Sequence, residues 1–234
     1  TAYTVGANYE LNDVSGVFVR YSRGYKFPSF DNFRENLTDT LKVDQYELGY
    51  KLRSGPFELY ATGFANEFKG AKFADVGGVQ ESNTNKAHGI ELDGRWKSDF
   101  GLSLALNGTF QKTEIKQSSI PANAGNSAQR QPDWQIRFTP SWDVTLGAVD
   151  ATFYGTLSAV DDRYADNANT QVLKGYEKLD LGASCRGVQG DGQGAGDNLT
   201  DSHGLTEGDP RSTSGANARP ILGRSVRLSV VYNF

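Results

Sequence analysis

His88, His203 and Cys185 are the side chains in this chain best equipped for nucleophilic, acid–base or metal chemistry. Their placement offers little of it. One histidine opens an alternating segment and the other lies in a polar loop, and neither has a second His or Cys at ligand spacing. A hydrolase needs a nucleophile beside a base that a third group orients, and no such set surrounds either histidine. A single cysteine excludes an intrachain disulfide. Asp161, Asp162 and Asp166 offer oxygen ligands to calcium, but their spacing departs from the EF-hand pattern, which favours a solvated acidic loop. The remaining candidate chemistry is recognition. Phe27, Phe30, Phe33 and Arg34 share one polar stretch, where stacking and cation–π contacts of about 1–2 kcal/mol each can grip a flat or anionic ligand. Phe27 and Phe30 suit an aromatic girdle at a lipid interface equally well. The reading is therefore a non-enzyme with no cofactor and no metal site.

The elements that carry these residues alternate with period two. Val17, Val19 and Tyr21 oppose Phe18, Arg20 and Ser22; Tyr46, Leu48, Tyr50 and Leu52 oppose Gln45, Glu47, Gly49 and Lys51. Ile90, Leu92 and Trp96 oppose Glu91, Asp93 and Arg95, and the same pattern returns in 102–110, 134–146, 151–159 and 179–185. Hydrophobic residues make up only 37% of the 234, below the ~45–50% of ordinary domains, yet aromatics reach 12%, which excludes disorder. No apolar run approaches the ~18 residues of a membrane helix. A net charge of -4 gives no electrostatic case for nucleic acid.

Strand length and loop rhythm separate this pattern from a soluble sandwich. The alternating segments run to ten residues or so, against ~5–6 for soluble strands. Short turns at Asn12-Asp13, Ser54-Gly55, Ser98-Asp99 and Gly147-Ala148 alternate with long polar stretches near 27–41, 69–84, 116–131, 161–174 and 201–221. An up-and-down membrane barrel has short periplasmic turns and longer outer loops. About eleven strands result, counting one near 188–200. An odd number cannot close as a regular antiparallel barrel, so a front portion is expected outside this sequence. The absence of any Met, with Thr1 first, likewise suggests a processed product or a piece of a longer chain. In lipid, Arg20, Glu47, Glu91, Arg95 and Arg137 would be costly, at ~2–4 kcal/mol per Arg or Lys near the midplane, so they are expected to face the lumen.

The stretch "VFVRYSRGYKFPSFDNF", followed by "VDQYELGYKLRSGPFELYATGFANEFKG", resembles the TonB-dependent outer-membrane receptors. Tyr21-Ser22-Arg23-Gly24-Tyr25 with Pro28-Ser29, and Glu47-Leu48-Gly49-Tyr50-Lys51, match successive strand elements of that family. "NKAHGIELDGRWK", "DNLTD" and the terminal "GRSVRLSVVYNF" resemble later elements in the family's order. One segment departs. Residues 185–200 carry Gly187, Gly190, Gly192, Gly194 and Gly196 where an alternating strand is expected, and glycine weakens a strand.

The resemblance implies that residues 1–234 are the C-terminal part of a 22-stranded all-β transmembrane barrel in the outer membrane of a Gram-negative bacterium, its plug domain lying outside this sequence. It implies TonB-energised uptake of a scarce ligand. Ferric siderophores are the commonest; haem, cobalamin, oligosaccharides and a passive porin stay open. Implied partners are the plug of the same full-length chain, the TonB complex, the barrel-assembly machinery, lipopolysaccharide and a ferric-siderophore-like ligand. Arg20, Glu47, Glu91, Arg95 and Arg137 become candidate plug contacts. Phe27, Phe30, Phe33 and Arg34 become candidate ligand contacts. Val230, Tyr232 and Phe234, on the apolar face of the last strand, become a candidate assembly signal.

Overall fold

The alternating segments form strands that are longer than their apolar stretches. The computed structural model describes residues 1–28, 30, 40–74, 80–187, 190–209 and 217–232. The first six strands are β1 (Tyr3–Asn12), β2 (Ser15–Lys26), β3 (Leu41–Ser54), β4 (Phe57–Ala74), β5 (Gln80–Lys97) and β6 (Leu102–Ser118). They are followed by β7 (Trp134–Leu146), β8 (Val149–Val160), and the short β9 (Arg163–Tyr164) and β10 (Val172–Leu173). The last five are β11 (Tyr176–Arg186), β12 (Gly190–Asp197), β13 (Leu205–Asp209), β14 (Asn217–Pro220) and β15 (Ser225–Tyr232). Eleven of them make one sheet in the order β1-β2-β3-β4-β5-β6-β7-β8-β11-β12-β15, with every neighbour antiparallel. The pairs β9–β10 and β13–β14 are small hairpins within the long connections.

Register keeps the two faces separate across the sheet. Val19, Leu48, Gly63, Ile90, Phe110 and Trp134 are successive partners on β2 to β7, all on the apolar face. Thr62, Glu91, Thr109 and Gln135 form a matching polar row on the other face. The apolar face is uncovered: Leu48 is 62% exposed and Leu228 80%. Aromatic rows bound it. Near the short turns, Phe57 lies 6.4 Å from Trp96 and Trp142 lies 6.1 Å from Phe153, with the Trp142 indole donating to the Phe100 carbonyl at 3.2 Å. Toward the long loops, Tyr21 stacks 5.7 Å from Tyr3 and 4.9 Å from Tyr46. Phe57 and Ala65, the partner of Tyr46, are eight residues apart on β4, roughly 26 Å along the strand. At the usual tilt that spans most of the ~25 Å apolar band of an outer-membrane barrel.

One stretch differs from the sequence expectation. Stretch 69–84, expected as a loop, is mostly ladder: pairing of β4 with β5 continues to Ala74↔Gln80. Beyond the lipid a strand needs no apolar face, so polar composition does not end it. Gly70, at a φ of +78°, absorbs the register shift between Lys69 and Ala71. The strand counted near 188–200 forms as β12, paired on both sides with β11 and β15. Gly190, Gly192, Gly194 and Gly196 all oppose apolar-face residues, so β12 carries backbone and no side chains on that face.

Buried side chains collect at the long-loop end, and most are polar. Glu81, Asn83, Asn167, Asn198 and Asp166 are almost fully buried, alongside Ile115. The Glu81 carboxylate accepts from Ser118 Oγ at 2.5 Å, Asn123 Nδ2 at 2.9 Å and Asn167 Nδ2 at 2.8 Å. Asn126 Nδ2 donates to the Asn167 carbonyl, and Asn169 exchanges hydrogen bonds with the Ser127 backbone. Arg130 reaches Glu207 at 2.8 Å and the Gly208 carbonyl at 2.9 Å, while Arg163 donates to the carbonyls of Leu205 and Thr206. Three long connections are thus laced into one body. Burial opposes ionisation of Glu81, but the donated hydrogen bonds outweigh it and hold the carboxyl below its usual range.

Two outcomes follow from this arrangement. Leu92→Arg, on the apolar face, should lower unfolding stability in lipid vesicles by ~2–4 kcal/mol, while Thr109→Arg on the polar face changes it little; denaturant titration reads both. Glu81→Gln should cost ~1–3 kcal/mol by leaving buried donors unpaired, seen as faster proteolytic cleavage within 119–133 and 161–175. Because the Glu81 carboxyl is depressed, its contribution is present above the ordinary carboxylate range and fades as pH falls through its lowered value. Protection in the unsubstituted protein should therefore weaken below about pH 4, with a smaller pH response in the variant.

Candidate functional site

Two surfaces carry the expected site residues: the polar wall of the sheet and its long-loop end. On the wall, Arg20 and Glu47 are direct cross-strand partners, with Nη2 2.6 Å from Oε2. Gln45 donates to the same carboxylate, whose side chain is only 8% exposed. These charges satisfy each other. Arg95 lies 3.9 Å from Glu58, which Arg53 holds at 3.0 Å. Glu91 and Arg137 are different: among the described residues neither has an ion-pair or hydrogen-bond partner. They lie two strands apart, roughly 10 Å, on β5 and β7. A cleft of about 270 Å³ opens beside Arg137, bordered by Asn107, Gln135 and Ser158. A second, of about 260 Å³, lies between Glu58, Asp93 and Arg95. Both clefts are edged by hydrogen-bond donors and acceptors.

At the loop end, Phe27 and Phe30 are strongly exposed. Phe33 and Arg34 lie outside the described residues. On β15, Val230 and Tyr232 line the apolar face with Val226 and Leu228; Phe234 lies outside the described residues. His88 is exposed on the apolar face and His203 is exposed in the connection after β12.

The acidic loop differs from its expectation of solvated carboxylates. Asp166 is fully buried, and its carboxylate accepts from the backbone N–H groups of Thr170 and Gln171 and from Thr170 Oγ1, closing the β9–β10 turn. Asp162 accepts from the Gly175 N–H and the Lys174 ammonium, both at 2.7 Å, which hold its carboxyl below the usual range. The carboxylates are occupied by their own loop. The loop-lacing residues Glu81, Asn123, Asn126, Asn167 and Asn169 were not singled out from sequence. Their signal was the pair of Asn-rich runs, "PANAGNS" and "DNANT", in successive long connections.

Comparison with known proteins agrees with this geometry. The family model for the TonB dependent receptor-like β-barrel matches residues 1–199. The chain is 32% identical over 94 residues to the ferrichrome receptor FcuA of Yersinia enterocolitica, covering 40% of this chain and 12% of that protein. It is 26% identical to the pesticin receptor of the same species over 98% of this chain and 35% of that protein. Among solved structures, the ferric yersiniabactin uptake receptor FyuA from Yersinia pestis superposes with a TM-score of 0.83 at 21% identity, over 100% of this chain and 37% of that one. The ferric preacinetobactin receptor BauA from Acinetobacter baumannii gives a TM-score of 0.79 at 22% identity, over 100% of this chain and 36% of that one. The chain therefore spans little more than a third of these structures, and less of FcuA. With the family model covering most of a two-faced, eleven-stranded sheet, the chain belongs to the TonB-dependent receptor β-barrel family, integral to the outer membrane of Gram-negative bacteria.

Proposed function

We propose that this chain forms the C-terminal half of a 22-stranded receptor barrel that takes up a ferric siderophore with energy from the TonB complex. The observation that carries the reading is the sheet itself, apolar and uncovered on one face, polar on the other, with β1 and β15 as unpaired edges running the same way. An edge in hydrocarbon leaves backbone groups unsatisfied at several kcal/mol each, so further strands between β15 and β1 complete the barrel. The siderophore assignment is supported by the ligands named for FcuA, FyuA and BauA.

In this reading the lumen holds an N-terminal plug of the same full-length chain. Glu91 and Arg137, two charges without partners on the described wall, are its first contacts. Arg20, Glu47 and Arg95 serve chiefly to stitch the strands together. Phe27, Phe30, Phe33 and Arg34 contribute to ligand capture at the outer end. The barrel-assembly machinery engages Val230, Tyr232 and Phe234 on the apolar face of the last strand, and lipopolysaccharide surrounds the outer half of the barrel. Catalysis has no part in this cycle.

Deleting the gene should slow growth under iron limitation and abolish uptake of the cognate radiolabelled ferric siderophore. In the complemented strain, Arg137→Ala should lower uptake at unchanged receptor abundance. Normal growth and uptake after deletion would overturn the siderophore reading. Separately, Phe234→Ala and Phe234→Asp should reduce assembled receptor in outer membranes, without changing ligand affinity of the molecules that assemble. Unchanged abundance of both variants would remove the assembly role.

A further inference from the structure

Toward the long loops the two faces of the sheet differ in charge. On the polar face, the row one step above Arg20 and Glu47 runs Thr4, Ser22, Gln45, Asn66, Ala87 and Thr113 from β1 to β6. The row above that holds Val43, Phe68 and Asn85 as successive partners, and Phe64 lies beside Glu47. From the Arg20–Glu47 row upward, the described charges on the polar face of β1 to β5 are few. Arg20 and Glu47 neutralise each other, and Glu81 is buried beneath Ser118, Asn123 and Asn167. Lys26, at the last position of β2, is the other. The unmet hydrogen-bonding capacity at this level includes neutral carboxamides: the Oδ1 atoms of Asn66 and Asn85 have no partner.

The opposite face at the same height is crowded with charge. Arg23, Asp44, Glu67, Lys86 and Glu114 are successive partners from β2 to β6, a belt of both signs. Charge is therefore present at this height and is placed outside, while amides, hydroxyls and two phenylalanines face inward. The loop body continues the pattern, because its cations have partners of their own. Glu207 engages Arg130 at 2.8 Å and Arg219 at 3.3 Å. Lys174 lies 2.7 Å from Asp162, and Arg224 lies 2.9 Å from Asp201. Arg163 is buried and turned onto the carbonyls of Leu205 and Thr206. Arg137, the cation without a partner on the wall, lies lower, beside Asn107.

From this distribution we infer that the ligand is an electroneutral ferric chelate, with iron held by three hydroxamates, and not an anionic tris-catecholate. The inference rests on the siderophore reading above and narrows it to one charge class. Three hydroxamates, each singly negative, cancel the charge of ferric iron. Three catecholates, each doubly negative, leave the complex a trianion. A trianion meeting this wall gives up hydration water and gains few free cations in return, which is costly. The chain's net charge of -4 opposes it further. A neutral chelate gives up less hydration. Its carbonyl and amide groups pair with the carboxamides of Gln45 and Asn66 and the hydroxyls of Thr4 and Ser22, and its hydrocarbon linkers pack on Phe64 and Phe68. Apolar surface with a few placed neutral donors and acceptors is the usual lining of a small-molecule site.

The test measures binding of radioiron-labelled chelates to the full-length receptor in mild detergent. The probes are three neutral ferric tris-hydroxamates of different skeleton, ferrichrome among them, and three ferric tris-catecholates. At least one tris-hydroxamate should bind about a hundredfold more tightly than any tris-catecholate, with an affinity that stays level as salt is raised. The double variant Ser22→Lys/Asn66→Lys adds two cations to the inner wall. It should strengthen tris-catecholate binding about tenfold at low salt, and the gain should vanish at high salt. Tighter binding of a tris-catecholate, a best ligand whose affinity falls with salt, or failure of every tris-hydroxamate to bind would overturn the inference. So would the absence of any gain in an assembled double variant. The comparison on the unsubstituted receptor decides the matter even where that variant fails to assemble. Uptake in the deletion strain separates this inference from the reading beneath it. If deletion abolishes uptake of a tris-catecholate alone, the siderophore reading stands and the neutral-chelate inference falls; if it alters uptake of neither class, both fall.

Discussion

Every other feature of this chain depends on the pairing of backbone N–H and C=O groups where water cannot reach them. An unpaired amide in hydrocarbon costs several kcal/mol, more than most side chains return. The antiparallel ladder is therefore the fixed element, and the side chains are arranged around it. That is why β12 holds its place with four glycines on its apolar face: both of its edges are paired, to β11 and to β15, and the ladder does not depend on side chains there. It is also why β4 and β5 extend past the aromatic rows into polar sequence, since a ladder already started adds pairs whether or not lipid surrounds it.

Once the ladder is set, the period-two pleat gives charge a choice of two faces, and height along the strand determines what each face tolerates. Between the aromatic rows the described charges lie on the polar face, where cross-strand pairs such as Arg20–Glu47 and Arg53–Glu58 neutralise one another. Above the upper row charge appears on the outer face as well, in the belt around Asp44 and Glu67. The change occurs within two residues of Tyr46 on β3, from the ring at 46 to the carboxylate at 44. The sheet thus records the depth of the membrane in its own composition.

Most of the sheet was legible because its two signals are local. Alternation in "QYELGYKL" or "WQIRFTPSW" assigns faces residue by residue, and the short turns fix the order of strands. Arg20 and Glu47 could be placed on one face from sequence, but their pairing could not, because it depends on the register between β2 and β3. The glycine-rich strand defeated side-chain reading because its evidence lies in backbone pairing alone. The loop body was illegible for a related reason. Its contacts, such as Glu81 to Asn167 and Arg130 to Glu207, join residues far apart in the chain through side chains common in any polar loop.

That loop body shows what a barrel must do without a conventional core. Most of the sheet's large apolar residues face lipid, so burial of hydrocarbon does little to organise the outer end. Ile115, Leu173 and a few alanines are the buried apolar side chains described there and nearby. Directional bonds take over: amides of Asn123 and Asn167 on one carboxylate, Asp166 closing its own turn, arginines reaching backbone carbonyls on a neighbouring loop. Such a network is strong when every member is satisfied and weak when one is removed, because each lost partner leaves a buried donor or acceptor unpaired. An outer end built this way is held in one shape by a few polar atoms. Its geometry is then more sensitive to a single buried Asn or Glu than to exposed aromatic residues such as Phe27 and Phe30.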